Sequence, residues 1–286
     1  MKISEIIKGE NPVLSFEVFP PKNSESYESI KGAALEIAQL NPDFMSVTYG
    51  AGGSTSTYTL DVAQGILQKG VTPVAHLTCV SASKEKIRDY LGEIKAKGIE
   101  NILALRGDLP QGVTAESLDF THASDLVEEI KAFGGFCIGG ACYPEGHTES
   151  SGLTQDIKNL KIKVDAGCEF LTTQMFFNND ILYNFLYKIR EAGITVPVIP
   201  GIMPVTNPAQ IKRICSLSGT VLPRRFLRLV DRFGSNPAAM KQAGIIYATE
   251  QIIDLYSNGI NAVHVYSMNK PDVAAQIQKN LEGIIK

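Results

Sequence analysis

The stretch KEKIRDYLGEIKAKGIENILALRGD, residues 84–108, holds one repeat of the pattern on which the fold is built. Ile87, Leu91 and Ile94 recur at helical spacing with charges on the opposite face, which predicts an amphipathic crossover helix over 84–97. Gly98 then supplies the residue type that ends a helix most readily. The run 99–105 (IENILAL) reads as a buried strand, and Arg106, Gly107 and Asp108 follow at its polar tip.

The same alternation extends in both directions. Strands are predicted at 13–19, 43–49, 72–79, 99–105, 136–143, 168–174, 195–200 and 261–267, eight in all. Between them lie helical patterns, several closed by Gly or Asn just before the next strand: Lys97-Gly98, Ala166-Gly167, Ala192-Gly193 and Asn258-Gly259. Eight βα units in 286 residues, near the ~250 typical of that architecture, favour an α/β fold of the (β/α)8 TIM-barrel type over an open doubly wound sheet. The interval 206–259 is too long for one helix and is expected to hold an extra one between strands seven and eight. No linker, low-complexity tract or internal repeat interrupts the chain, so one domain over 1–286 is expected.

Composition narrows the function classes. With 44% apolar residues the chain can build a core without disulfide or metal staples. Twenty-seven Lys and Arg against thirty Asp and Glu give −3 with no block of like charge, which argues against nucleic acid or anionic lipid as a partner. The opening MKISEIIKGENP lacks the apolar core of a signal peptide. The longest apolar passage, 194–205, is broken by Pro197, Pro200, Gly201 and Pro204 and falls short of a membrane helix, so a cytoplasmic protein off the membrane is expected. Five cysteines without a C-x-x-C pair suggest reduced core thiols, and His76, His147 and Cys142 fit no zinc template, so no metal is expected.

In a (β/α)8 barrel chemistry sits where strands run into the βα loops. Those positions carry Glu17, Thr48 with Tyr49, His76 with Thr78, Arg106 with Asp108, Tyr143 with His147, Thr173 with Gln174, and Tyr266 with Asn269. Glu17 lies within a strand between Phe16 and Val18 and should point inward. Two readings stand side by side there: an acid whose carboxyl is raised towards neutrality by desolvation, or a carboxylate paired with a buried cation such as Arg106. Gly107 allows close backbone approach to a ligand, and Asp108 would give the mouth a second acid. The loop Gly50 to Ser54 reads equally as a phosphate cradle or a plain turn; no dinucleotide fingerprint occurs anywhere. Arg224, Arg228 and Arg232 share one helix face, which reads as a solvated stripe or, more sharply, a subunit or redox-partner contact.

The strings FEVFPPK (16–22), SVTYGAGGS (46–54), HLTCV (76–80), LALRGD (103–108), ACYPEGH (141–147), TTQMFF (172–177) and PGIMPV (200–205) resemble those of the bacterial single-domain 5,10-methylenetetrahydrofolate reductases, in the same order and over nearly the whole chain. The resemblance implies an FAD-binding barrel in which hydride passes from NADH through flavin to the folate methylene, giving 5-methyltetrahydrofolate. It implies Glu17 as the acid that opens the folate ring and Asp108 as the carboxylate that favours the cationic intermediate. It places Gln174, Gln210, Lys270 and Asp108 against substrate. Thr48, Tyr49, His76, Arg106, Gly107, Asp108, Tyr143, His147, Asp156, Asn159 and Lys163 fall on its flavin-contacting positions.

Two positions depart from that pattern. Ile214 stands where the family places a mobile aromatic, and Lys270 where it places an arginine. An aliphatic cannot stack on nicotinamide as an aromatic does, and Lys cannot reproduce a bidentate Arg grip. The electron donor is therefore open between NADH, NADPH and a partner protein. The expected partners are folate and NADH, other copies of the chain in a homo-oligomer, and as an alternative a redox protein. The competing functions are a flavin- or folate-binding subunit of a multisubunit redox complex and a cofactor-free barrel lyase or aldolase.

Overall fold

Side-chain alternation on the first strand, β1 (Val13–Val18), sends Leu14, Phe16 and Val18 outward against the helices and Val13, Ser15 and Glu17 inward. The computed structural model describes residues 1–21, 23–49, 56–109 and 119–285. Parallel strands follow β1 in turn: β2 (Phe44–Val47), β3 (Thr72–Thr78), β4 (Asn101–Leu105), β5 (Cys137–Cys142), β6 (Phe170–Thr173), β7 (Val198–Ile199), β8 (Gly201–Ile202) and β9 (Ala262–Tyr266). They pair in the order β7-β6-β5-β4-β3-β2-β1-β9-β8, every pairing parallel.

β7 and β8 are two halves of one stave, separated only by Pro200, whose ring nitrogen cannot donate to a ladder. The first half pairs with β6 and the second with β9, so the sheet closes with eight staves, as the sequence predicted. The predicted strand 195–200 starts too early. The Arg190 side chain instead holds the chain before Pro197 in a turn, donating to the carbonyls of Ile194 (2.5 Å) and Val196 (3.0 Å).

The helices between strands are α2 (Tyr27–Ala38), α3 (Ser56–Gln68), α4 (Lys84–Ala96), α5 (Ala123–Phe133), α6 (Leu153–Ala166) and α7 (Asn179–Glu191), with α11 (Pro271–Asn280) after the last strand. On α4 the predicted apolar stripe Ile87, Leu91 and Ile94 is buried, joined by Tyr90. The long interval before β9 holds three helices where two were expected: α8 (Pro208–Ser218), α9 (Arg224–Phe233) and α10 (Pro237–Ser257). Asn207-Pro208 and Asn236-Pro237 start two of them, each Asn side chain accepting from backbone N–H groups of the first turn with Pro beside it. Gly219, left-handed at φ 72°, ends α8.

Among the described residues three apolar clusters are buried: two hold the barrel itself, and a third, with Met175, Phe177, Met203, Phe226 and Met240, packs α8, α9 and α10 beside its mouth. Of the first two, a large one fills the space between strands and helices. A smaller one plugs the bottom of the barrel, where Ile3 of the short N-terminal helix α1 (Ile3–Ile6) meets Val13, Phe44, Val74, Leu103 and Phe170. Gly139 on β5 makes room for the Phe170 ring, because a Cβ there would lie 2.3 Å from its Cζ. The upper half of the interior mixes polar side chains such as Glu17, His76 and Gln174 with apolar ones such as Leu105, Met175 and Met203, which is where the site forms. No helix among the described residues is long and apolar enough to cross a membrane.

Candidate active site

Register decides which polar groups meet. Glu17 lies opposite Ser46 on one side and Tyr266 on the other, and Ser15, one inward layer below, lies opposite His264. The Glu17 carboxyl is 3.6 Å from His76 Nε2, 3.9 Å from His264 Nε2 and 3.5 Å from Ser46 Oγ. Burial raises its pKa from 4.5 to about 8, so it holds its proton at neutral pH. The same burial pushes both imidazoles down from 6.5 to about 3, leaving them neutral.

The alternative pairing of Glu17 with Arg106 does not occur. Arg106 grips Glu149 instead with both guanidinium nitrogens, at 2.7 and 2.6 Å, and its Nε donates to the Gly107 carbonyl at 3.1 Å. Arg106 draws the Glu149 carboxyl below its usual range, and Glu149 raises the guanidinium in return.

The expected site residues fall into two adjoining cavities. The smaller, ≈ 370 Å³, is lined by Glu17, Thr48, Tyr49, His76 and Gln174. The larger, ≈ 690 Å³, is lined by Arg106, Gly107, Asp108, His147, Asp156, Asn159 and Lys163. Tyr143 borders both, with Thr78, Leu105 and Ala141. Its ring meets the edge of His147 at 4.6 Å and 87°, and burial raises its hydroxyl to about 12. Asp108, which the resemblance places beside the pterin, lines the larger cavity.

Local sequence explains these placements. Gly140 faces outward on β5, and a Cβ there would lie 3.2 Å from Lys163 Cε, so the missing side chain lets the lysine stem lie across the strand. The Lys163 ammonium then donates to the Ala141 carbonyl, and burial lowers its pKa. Gln174 commits its amide oxygen to the Met175 N–H at 2.9 Å, which leaves its NH2 to meet a ligand. Gly107 has φ +88°, and a Cβ would strike Val80 Cγ1 at 2.7 Å.

Other expectations land elsewhere. Asn269 exchanges two 2.9 Å hydrogen bonds with the backbone of Phe19, so it pins the end of β1 to the segment after β9 and serves the frame. Lys270 donates to Thr206 Oγ1 at 2.6 Å, at the edge of the barrel mouth. Ile214 lines the smaller cavity together with Met203 and Met268. Gln210 falls on α8, but its side chain lies outside the described residues, as does the loop Gly50 to Ser54. Arg224, Arg228 and Arg232 are exposed on α9, opposite the buried Phe226.

The sequence reading missed Ser15, Ser46, His264 and Glu149. His264 alternates with Tyr266 on β9 and so had to face inward; that parity was the available signal. Ser15 and Ser46 share the face of Glu17 and of its neighbour strand by the same rule. Glu149 carries no pattern in the sequence.

The fold and site together define a parallel (β/α)8 barrel whose mouth gathers one carboxyl and two buried imidazoles beside two adjoining cavities. The methylenetetrahydrofolate reductase family model matches residues 2–282. The chain is 36% identical to a probable methylenetetrahydrofolate reductase (NADH) of Oryza sativa subsp. japonica, covering 100% of this chain and 50% of that protein. It is 34% identical to 5,10-methylenetetrahydrofolate reductase of Escherichia coli (strain K12), over 92% of this chain and 88% of that one. The chain thus spans about half the length of the plant relatives it matches. A solved protein from Clostridium thermocellum, described as binding two copies of 5-methyl-5,6,7,8-tetrahydrofolic acid, shares the fold with a TM-score of 0.68 at 16% identity, over 100% of both chains. The chain belongs to the methylenetetrahydrofolate reductase family.

Proposed function

We propose that this chain reduces 5,10-methylenetetrahydrofolate to 5-methyltetrahydrofolate, with Glu17 as the general acid and FAD as the hydride carrier. The observation that carries the reading is the Glu17 carboxyl, neutral at pH 7 and facing the smaller cavity beside two uncharged imidazoles.

The residues fit a bound flavin. The cavities adjoin across Thr78, Leu105, Ala141 and Tyr143, Gly107 brings main chain to the wall of the larger, and His76 Nε2 is buried without a hydrogen-bond partner while His76 lines the smaller. Thr48, Tyr49, His76 and Tyr143 would hold one end of FAD, and Arg106, Gly107, Asp108, His147, Asp156, Asn159 and Lys163 the other. When bound, FAD supplies hydride to the folate methylene.

The protein's own part is the proton. Glu17 donates to the ring nitrogen of the folate imidazolidine, and the bond from that nitrogen to the methylene carbon breaks with its electron pair staying on nitrogen. The second nitrogen's lone pair then makes the iminium, and Glu17 is left as a carboxylate. Asp108 supplies negative charge near the cleft, which favours that cation. Gln174 offers its NH2 to the substrate, and Gln210 and Lys270 are the further substrate contacts. Lys270 would have to leave Thr206 to serve in that way.

NADH is the proposed reductant. Ile214 in the wall of the smaller cavity favours a second reading in which a partner protein delivers electrons. NADH alone bleaching the purified yellow protein supports the first, and failure to do so supports the second. For the acid, Glu17→Gln should leave reduction by the donor intact and slow the folate half-reaction by ~10²- to 10⁴-fold. Near-normal folate turnover in that variant would remove the assignment.

A further inference from the structure

We propose that Ser15, His264 and Ser46 are positioning residues: a one-directional hydrogen-bond chain that turns a lone pair, and not a proton, towards Glu17 and so keeps that carboxyl protonated. The inference rests on the reading of Glu17 as the acid and adds three residues to it.

The direction follows from counting protons. The Ser15 hydroxyl has one, and gives it to the main-chain carbonyl of Val263 at 2.8 Å. Towards His264 Nδ1, also at 2.8 Å, Ser15 Oγ can then only accept, so Nδ1 carries the ring proton. The ring is 2% exposed and neutral, so its Nε2 is bare and accepts from the Ser46 hydroxyl at 2.8 Å. The single Ser46 proton is thereby committed. Ser46 Oγ lies 3.5 Å from Glu17 Oε2, where it would donate to a carboxylate; with its proton held by His264 Nε2 it presents a lone pair to the protonated carboxyl instead.

A protonated Glu17 meets that lone pair as a donor. A carboxylate meets it as a second acceptor, and can gain the Ser46 proton only by leaving His264 Nε2 unsatisfied in a place closed to water. The other groups facing Glu17 do not offset this. His76 Nε2 approaches from β3 at 3.6 Å, beyond hydrogen-bond distance, and carries no charge, and the Tyr266 hydroxyl on β9 is engaged by the Thr173 carbonyl. Among the described residues no lysine or arginine pairs with Glu17.

The chain ends on a main-chain carbonyl, which cannot pass a proton onward. It orients Glu17 without reloading it, so the proton lost in each turnover returns from the cavity side, where 22% of the Glu17 side chain is exposed.

The test is the ring tautomer of His264, read by nitrogen-15 NMR of histidine-labelled holoprotein, with the Glu17 carboxylic C=O stretch followed by difference infrared spectroscopy and assigned by its loss in Glu17→Gln. The wild type should show Nδ1–H. Ser15→Ala removes the acceptor at Nδ1, so the proton should move to Nε2. Ser46 would then accept from the ring and donate to Glu17, and the infrared band should titrate away about one pH unit lower. Ser15→Thr, which keeps the hydroxyl, should restore both signals. An Nε2–H tautomer in the wild type overturns the inference without depending on any variant, and so does an unmoved infrared midpoint in folded Ser15→Ala. The acid assignment is decided separately, by folate turnover in Glu17→Gln.

Discussion

The Tyr266 hydroxyl donates to the main-chain carbonyl of Thr173 at 2.5 Å, spanning the β7–β8 stave directly over Gly201. A Cβ on Gly201 would lie 2.3 Å from that hydroxyl and 2.5 Å from the Thr173 carbonyl oxygen, and the backbone oxygen cannot yield as a flexible side chain would. The bond also closes the wall of the smaller cavity beside Glu17. Gly201→Ala should therefore cost about 1–3 kcal/mol of unfolding free energy and displace Tyr266. Denaturant unfolding and folate turnover measure the two effects; wild-type values for both would mean that the crossing is not constrained as described.

A second glycine tests the barrel floor. Gly139→Ala would push a methyl to within 2.3 Å of the fully buried Phe170 ring, so a loss of about 1–3 kcal/mol is expected. The shortened Gly139→Ala/Phe170→Leu pair should recover part of it, because the two positions share one volume. Strict additivity in a double-mutant cycle would show that Phe170 does not occupy the space left by Gly139.

The staves were legible because buried parallel strands are nearly continuous apolar runs, and because Gly follows their helices at regular points. The seventh stave was found but its bounds were not, since Pro197 stands just before it, Pro200 falls inside it, and its two halves pair with different neighbours. The mouth was legible residue by residue where a polar side chain interrupts an apolar strand end, as at Glu17, His76 and Gln174. His264 escaped because in AVHVY (262–266) it looks like an isolated imidazole in an apolar strand. Its partners Ser15 and Ser46 lie 249 and 218 residues away in sequence, a proximity that only barrel closure and register create. Nothing local in the sequence pairs Arg106 with Glu149 across 43 residues.

That ion pair leads to a binding prediction. Glu149 occupies both donors of the Arg106 fork at the wall of the larger cavity, so an anionic ligand group seeking Arg106 must displace a carboxylate. Glu149→Gln should tighten FAD binding several-fold, and Arg106→Lys should weaken it, both read as Kd by flavin fluorescence. Because the Glu149 side chain is 54% exposed, the folding cost of Glu149→Gln should stay within ~1 kcal/mol. A weaker FAD complex in Glu149→Gln would show that the carboxylate assists the ligand instead of competing with it.

Glu17 and the two imidazoles impose opposite pH dependences on folding. The carboxyl is raised from 4.5 to about 8, so between those values the native state keeps a proton that the unfolded chain has released. The contribution is complete below 4.5 and is lost as pH rises through about 8, at up to about 1.4 kcal/mol per pH unit. His76 and His264 are lowered from 6.5 to about 3, so the unfolded chain binds protons that the native state refuses, and stability falls as pH drops from 6.5 towards 3. Glu17→Gln removes only the first effect. The stability of the variant relative to wild type should therefore climb between pH 4.5 and about 8 and level off above that, while both proteins keep the same acid-side decline. Chemical denaturation at a series of pH values measures the difference directly. Two parallel profiles across that window would mean that the native carboxyl ionises as an ordinary glutamate, and the acid role would then lose its physical basis.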